Sequence, residues 1–304
     1  MNLSVQIGKT TFANPVTVAS GTFTYTEKYY RRADMQKLGA VILKTITLNP
    51  REGNPPPRIV ETPAGMLNAI GIENPGVEKF LSDKWPVYQR MQVPLMVSVS
   101  GHSDEEFEQL ALRLRDVEGI AALELNLSCP NLKQVRLVAQ DPAATERIVR
   151  KVKSIVPMPV VAKLSPNVTD ITEIALAAQA GGADGLSLVN TLAGMMIDTK
   201  TCRPVLGNQI GGLSGPAIRP VAVLMVYQVA KVVRIPIIAM GGIQNADDAL
   251  QFILAGATMV AVGTMNFVDP STPLKVLDGI KTYMKKNRVD DINALRGAIK
   301  EDKT

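Results

Sequence analysis

Residues 235–264 read IPIIAMGGIQNADDALQFILAGATMVAVGT. An apolar run from Ile235 to Met240 stops at Gly241-Gly242. Apolar residues then recur at three-to-four spacing from Ala246 to Ala255, Gly256 closes that stretch, and a second apolar run, Met259 to Gly263, ends at Thr264. Short runs without alternation are what strands of a parallel sheet look like when both faces are covered, and the spacing between them is helical. The segment therefore reads as strand, helix, strand.

The same unit recurs towards the N-terminus. Six further runs read as strands: Pro15 to Ser20, Ala40 to Thr47, Pro94 to Ser100, Ala121 to Asn126, Pro159 to Leu164 and Gly185 to Val189. Helical patterns cover Asp104 to Asp116, Ala143 to Ile155, Ile171 to Ala180 and Ile218 to Val232. Eight such units predict an α/β chain folded as a (β/α)8 TIM barrel, one domain over residues 1–304. Ser4 to Phe12, turning at Gly8-Lys9, reads as a small hairpin under the barrel. Two stretches, Asn49 to Trp85 and Asn190 to Ser214, are too long for ordinary connections and follow strand ends, which places them as long loops over the C-terminal face. Asp290 to Thr304 reads as a helix with a charged end.

Composition narrows the function. The chain has 304 residues, a formal charge of +5, one histidine and two cysteines. The basic residues are scattered, apart from Lys285, Lys286 and Arg288, and aromatic residues are only 4%, which argues against nucleic acid and for an anionic ligand. A zinc site or a Ser/His/Asp triad lacks its parts. No disulfide framework is implied by Cys129 and Cys202. Met1 to Thr11 has neither a basic nor an apolar leader region, and no apolar run reaches membrane-spanning length, so a soluble, cytoplasmic protein is expected.

In this architecture chemistry sits at the C-terminal ends of the strands, and those ends are polar here. They carry Ser20-Gly21, Lys44-Thr45, Ser98, Asn126 with Ser128-Cys129-Pro130-Asn131, Lys163, Asn190-Thr191, Gly241-Gly242 and Gly263-Thr264. Two glycine-bearing ends on adjacent strands suit a phosphate cradle, although a tight turn alone also explains either one. Lys44 and Lys163 lie in apolar strands; each pairs with a structural carboxylate or meets an anionic ligand such as a carboxylate or a reduced flavin. Cys129 is a small core residue or, from its strand-end setting, a base. Asn68, Asn126, Asn131 and Asn190 form turns or offer paired donors and acceptors to a planar, amide-rich ligand. His102 reads as an exposed loop residue without a role, and Cys202 as a bystander.

These residues resemble the class 1 dihydroorotate dehydrogenases over nearly the whole chain. The resemblance is carried by ASGTF (19–23), KTIT (44–47), REGNPPPR (51–58), NAIGI (68–72), NLSCPN (126–131) and GGLSG (211–215). The KTIT and triple-proline forms are most like the 1B catalytic subunit. It implies FMN bound by Ser20, Gly21, Lys44, Thr45, Asn126, Lys163, Val189, Gly215, Gly241, Gly242, Gly263 and Thr264. It implies dihydroorotate or orotate bound by Lys44, Asn68, Ala69, Ile70, Gly71, Ile72, Asn126, Asn131, Asn190 and Thr191, with Cys129 as the catalytic base. It also implies a homodimer within a heterotetramer, whose electron-transfer subunit carries FAD and a 2Fe–2S cluster and passes electrons to NAD. This chain lacks the four cysteines such a cluster needs, and no Gly-x-Gly-x-x-Gly for NAD follows a strand.

Two departures accompany the resemblance. Ser98 stands where the family has a flavin-contacting Asn, and is expected to reach less far or to act through water. Lys133 to Gln140 holds no glycine where the family has a glycine-rich lid. Three other readings stay open: a fumarate-using 1A-type enzyme, a flavin barrel for a related pyrimidine, and a non-catalytic phosphate-binding barrel.

Overall fold

The computed structural model describes residues 1–23, 32–128 and 138–300. Eight parallel strands form the wall: β1 (Val16–Val18), β2 (Val41–Ile42), β3 (Leu95–Val99), β4 (Ile120–Asn126), β5 (Val160–Lys163), β6 (Gly185–Leu188), β7 (Ile237–Met240) and β8 (Met259–Val262). Their hydrogen-bonded order is β1-β8-β7-β6-β5-β4-β3-β2, the order of a (β/α)8 TIM barrel opened at one seam. At that seam Gly39 N–H donates to Val16 O at 2.9 Å. A Cβ on Gly39 would lie 1.9 Å from Asn14 O, and Asn14 is itself fixed by accepting from Val16 N–H and donating to Lys37 O. Gly39→Ala must push β1 and β2 apart, so we expect a stability loss of about 1–3 kcal/mol, read from the denaturant midpoint.

The strands are almost wholly buried, with Val160, Val161, Ile237, Ile238, Met259 and Val260 at 0% exposure. Helices cover them outside. Asp104–Leu114 buries Phe107, Leu110, Ala111 and Leu114, the i, i+3, i+4, i+7 stripe of an amphipathic helix, and begins where the Ser103 side chain accepts from Glu106 N–H. Asp141, Asp170 and Asn245 cap Pro142–Lys153, Ile171–Ala180 and Ala246–Ala255 in the same way. No helix among the described residues is long and apolar enough to cross a membrane.

The hairpin pairs Val5–Ile7 with Thr10–Phe12. Thr10 Oγ1 donates to Ala121 O near the start of β4, and Ile7 fills the space beside Gly185 at the start of β6, so it closes the N-terminal end of the barrel.

Three expectations are corrected. The second strand does not run from Ala40 to Thr47: the ladder stops at Ile42, and pairing resumes only as an isolated bridge from Ile46 to Val99. The two long stretches are not merely loops. Leu192–Met195, Ile210–Ser214, Gly65–Asn68 and Ile59–Thr62 pair in that order as an antiparallel sheet. Its glycines, poor strand formers, are needed for fit, since a Cβ on Gly212 would lie 2.0 Å from Thr191 Oγ1. Finally, residues 290–300, the described part of the C-terminal segment, hold no α-helix. One 3₁₀ turn, Ile292–Leu295, buries Ile292 and Leu295, and Asn2 bridges to Asp291 beside it.

Candidate active site

A cavity of about 580 Å³ opens at the C-terminal ends of the strands, within the range of small-molecule sites. Around it stand Ser20 and Gly21 after β1, Lys44 and Thr45 after β2, Asn126 at the end of β4 and Lys163 at the end of β5. Val189, Asn190 and Thr191 follow β6, Gly241 and Gly242 follow β7, and Gly263 and Thr264 follow β8. The antiparallel sheet and its flanks contribute Asn68, Ile70, Gly71, Ile72 and Gly215. Cys129 and Asn131 lie outside the described residues, as does 133–137 of the glycine-free stretch. Ser128, the last described residue before Cys129, lines the cavity.

Ala69 is not brought to the cavity. Flanked by two lining residues, it turns the other way, into a satellite core with Leu67 and Leu206. Ser98 does not reach the cavity either: fully buried, its Oγ shares a 2.9 Å hydrogen bond with Thr45 Oγ1, so it fixes Thr45 instead of a ligand. His102 is half-buried, not exposed; its Nε2 lies 2.7 Å from Arg51 Nη1 and its N–H donates to Glu106 Oε2. Cys202 is exposed and away from the cavity.

The break after β2 explains how two consecutive residues, Lys44 and Thr45, both line the site. In a regular strand successive side chains point to opposite faces, and leaving the ladder at Ile42 removes that restriction. The sequence showed the residue types but not this irregularity.

Amides ring the centre. Asn190 Nδ2 donates to Asn126 Oδ1 at 3.3 Å, and Asn126 Oδ1 also accepts from Ser128 N–H. Asn68 Nδ2 donates to Gly212 O, its partner on the neighbouring strand of the antiparallel sheet, which fixes the amide at the cavity wall. Asn167 and Ser165, after β5, also line the cavity and were not anticipated. Asn167 donates to Thr191 O and Ser165 Oγ and accepts from Ala193 N–H, so it joins the end of β5 to the segment after β6. The Ser165-Pro166-Asn167 punctuation directly after β5 was the available signal.

On the far side, Gly241 (φ 134°) and Gly242 (φ 75°) bring bare backbone to the wall, just ahead of the Ala246–Ala255 helix. Arg219 braces this turn. Its Nη1 donates to Gly242 O and lies 2.6 Å from Asp248 Oδ1. Among the described residues, no atom lies within 4 Å of where a Cβ on Gly21 would stand. Thr264 Oγ1 donates to Ser214 Oγ, another unanticipated lining residue. Open volume, a side-chain-free cradle and a helix start together fit a phosphate-bearing planar group such as FMN.

Lys44 is the most perturbed group at the site. Burial lowers its pKa from 10.5 to about 8, Lys163 nearby adds to the drop, and Glu73 opposes it. The unfolded chain therefore binds the proton more tightly, so stability rises with pH between about 8 and 10.5, and below about 8 the full cost is present. Without ligand, Lys44→Met is expected to be more stable at pH 7 by about 3 kcal/mol, the gain fading as the pH approaches 10.5. Equal chemical-denaturation curves at pH 7 would contradict this.

Residues 2–284 match the family model described as dihydroorotate dehydrogenase. The chain belongs to the dihydroorotate dehydrogenase family. Relatives named dihydroorotate dehydrogenase B (NAD(+)), catalytic subunit, are similar over nearly their full length. The protein from Desulforamulus reducens is 52% identical over 299 residues, 98% of each chain. That from Desulforudis audaxviator is 53% identical over 296 residues, 97% of this chain and 96% of the relative. That from Lachnoclostridium phytofermentans is 50% identical over 301 residues, 99% and 100% respectively. As a member of the dihydroorotate dehydrogenase family, the barrel is an oxidoreductase.

Proposed function

We propose that this dihydroorotate dehydrogenase is the catalytic subunit of a two-part cytoplasmic enzyme of pyrimidine biosynthesis, oxidising (S)-dihydroorotate to orotate. Electrons pass to NAD through a separate subunit holding FAD and a 2Fe–2S cluster, and the barrels pair as a homodimer within a heterotetramer. The observation that carries this reading is the convergence of two lysines, a ring of amides and a glycine cradle on one cavity.

Ser20, Gly21, Lys44, Thr45, Asn126, Lys163, Val189 and Gly215 would hold FMN along its length, with Gly241, Gly242, Gly263 and Thr264 at its phosphate. When bound, FMN supplies the acceptor for the hydride leaving C6 of dihydroorotate. Asn68, Asn126, Asn131 and Asn190, with Thr191 and the Ile70–Ile72 backbone, orient the pyrimidine ring and its carboxylate. Cys129 removes the proton at C5. Lys44 and Lys163 offset negative charge on the substrate carboxylate and on the reduced ring.

The test begins with the cofactor released by denaturing the isolated chain, expected to be FMN at one per chain. The chain alone is expected to reduce a dye with dihydroorotate and to leave NAD unreduced until a partner is supplied. Brisk turnover with fumarate would make it a 1A-type enzyme instead. A protein that takes up no flavin on reconstitution would be a non-catalytic phosphate-binding barrel, and preference for dihydrouracil would reassign the substrate.

A further inference from the structure

Glu124, at 0% exposure in the barrel wall, has no part in the steps above. It lies on β4 in register with Ser98 of β3 and Val161 of β5, two residues before Asn126, so it shares Asn126's inward face but sits deeper than the cavity lining. Its Oε2 accepts from Ser187 Oγ on β6 at 2.9 Å. Its Oε1 has no hydrogen-bond partner among the described residues, and Lys163 Nζ stands 3.7 Å from it. Lys163, 5% exposed, donates to Ser20 Oγ at 3.3 Å and lines the cavity. A buried ion pair seldom gains stability over apolar side chains of the same size. Stability alone therefore does not account for a carboxylate here.

We propose that Glu124 is a positioning residue for the flavin reaction: it pairs with Lys163 and holds its side chain aimed into the cavity, where the lysine offsets negative charge on the reduced flavin ring. This rests on the reading that the cavity holds FMN. Facing Lys163 are Glu124 from β4, Lys44 from after β2, and the neutral hydroxyls of Ser20 and Ser187. With the Glu124 charge removed, Lys44 and Lys163 share a buried site with no counter-charge beside Lys163, and the site no longer holds both cations. One cation lining the cavity is then lost together with the deeper anion, and the nearer charge governs the ring.

The test is Glu124→Gln, which keeps the side-chain shape and an acceptor for Ser187. Flavin-loaded protein is equilibrated anaerobically with a redox dye at pH 7, below the Lys44 titration. The ratio of reduced to oxidised flavin at a fixed dye potential is expected to fall at least about tenfold below the parent, ~30 mV for a two-electron couple. In a Lys163→Met background the same change lowers it no further. An unchanged ratio, a raised ratio, or the same loss without Lys163 would each overturn the proposal.

Flavin-free protein gives a second readout should the variant not hold flavin. Lys163→Met leaves Glu124 buried and unpaired and lowers the thermal midpoint, while adding Glu124→Gln restores most of it. Additive losses would overturn the pairing. If the parent itself takes up no flavin, the reading of the cavity has failed, and the flavin-free cycle still decides whether Glu124 holds Lys163.

Discussion

Cys129→Ala is expected to slow flavin reduction by dihydroorotate by about 10²- to 10⁴-fold, the range general-base catalysis supplies, while leaving the flavin bound. The separation of the two effects follows from the layout. Ser128 brings the chain into the cavity at the end of β4, whereas the glycine cradle is built after β7 and β8. Losing the thiol removes a proton acceptor and leaves every residue of that cradle in place. Cys129→Ser should reduce slowly and gain rate as the pH rises, because a hydroxyl gives up its proton far less readily than a thiol. Stopped-flow bleaching of the bound flavin at several pH values measures both. An alanine variant that reduces as fast as the parent would remove Cys129 from the reaction.

The second large effect is at Gly242. Its φ of 75° strains any L side chain, and a Cβ would lie 2.8 Å from both Gly215 O and Arg219 Cβ. Neither neighbour yields easily, since Gly215 abuts Gly65 and Arg219 is anchored on Asp248. Gly242→Ala must therefore distort the cradle, at a cost of roughly 1–3 kcal/mol. If that cost falls on the cradle, FMN affinity drops by about 5- to 150-fold, readable by fluorescence titration of flavin-free protein. Gly21→Ala is the contrast: with no atom of the described residues within 4 Å of its Cβ, the flavin-free protein should keep its thermal midpoint. Unaltered FMN affinity in Gly242→Ala would move the phosphate elsewhere.

Much of the barrel was legible because buried parallel strands leave continuous apolar runs, and the Ile171–Ala180 and Ala246–Ala255 helices fall where their spacing and caps put them. The glycine-ended strands and the inward lysines were legible as residue types. The sheet over the site was not, because Gly194, Gly211 and Gly212 are there for clearance against Leu67, Leu206 and Thr191, which only the packed structure reveals. Ala69 was carried along by its neighbours Asn68 and Ile70, though alternation turns it the other way. The signal for Glu124 lies in its own strand. In Ala122-Leu123-Glu124-Leu125-Asn126 the inward face holds a carboxylate and an amide in an otherwise apolar strand, which makes Lys163 half of a pair and not simply a cation awaiting a ligand.

The most direct test of the account is to purify the chain with its flavin and add dihydroorotate anaerobically while recording the visible spectrum. The account predicts bleaching of the oxidised flavin with orotate formed in equal amount, in the absence of any partner subunit. An oxidised spectrum that persists under saturating dihydroorotate, in protein with its full complement of FMN, would contradict it.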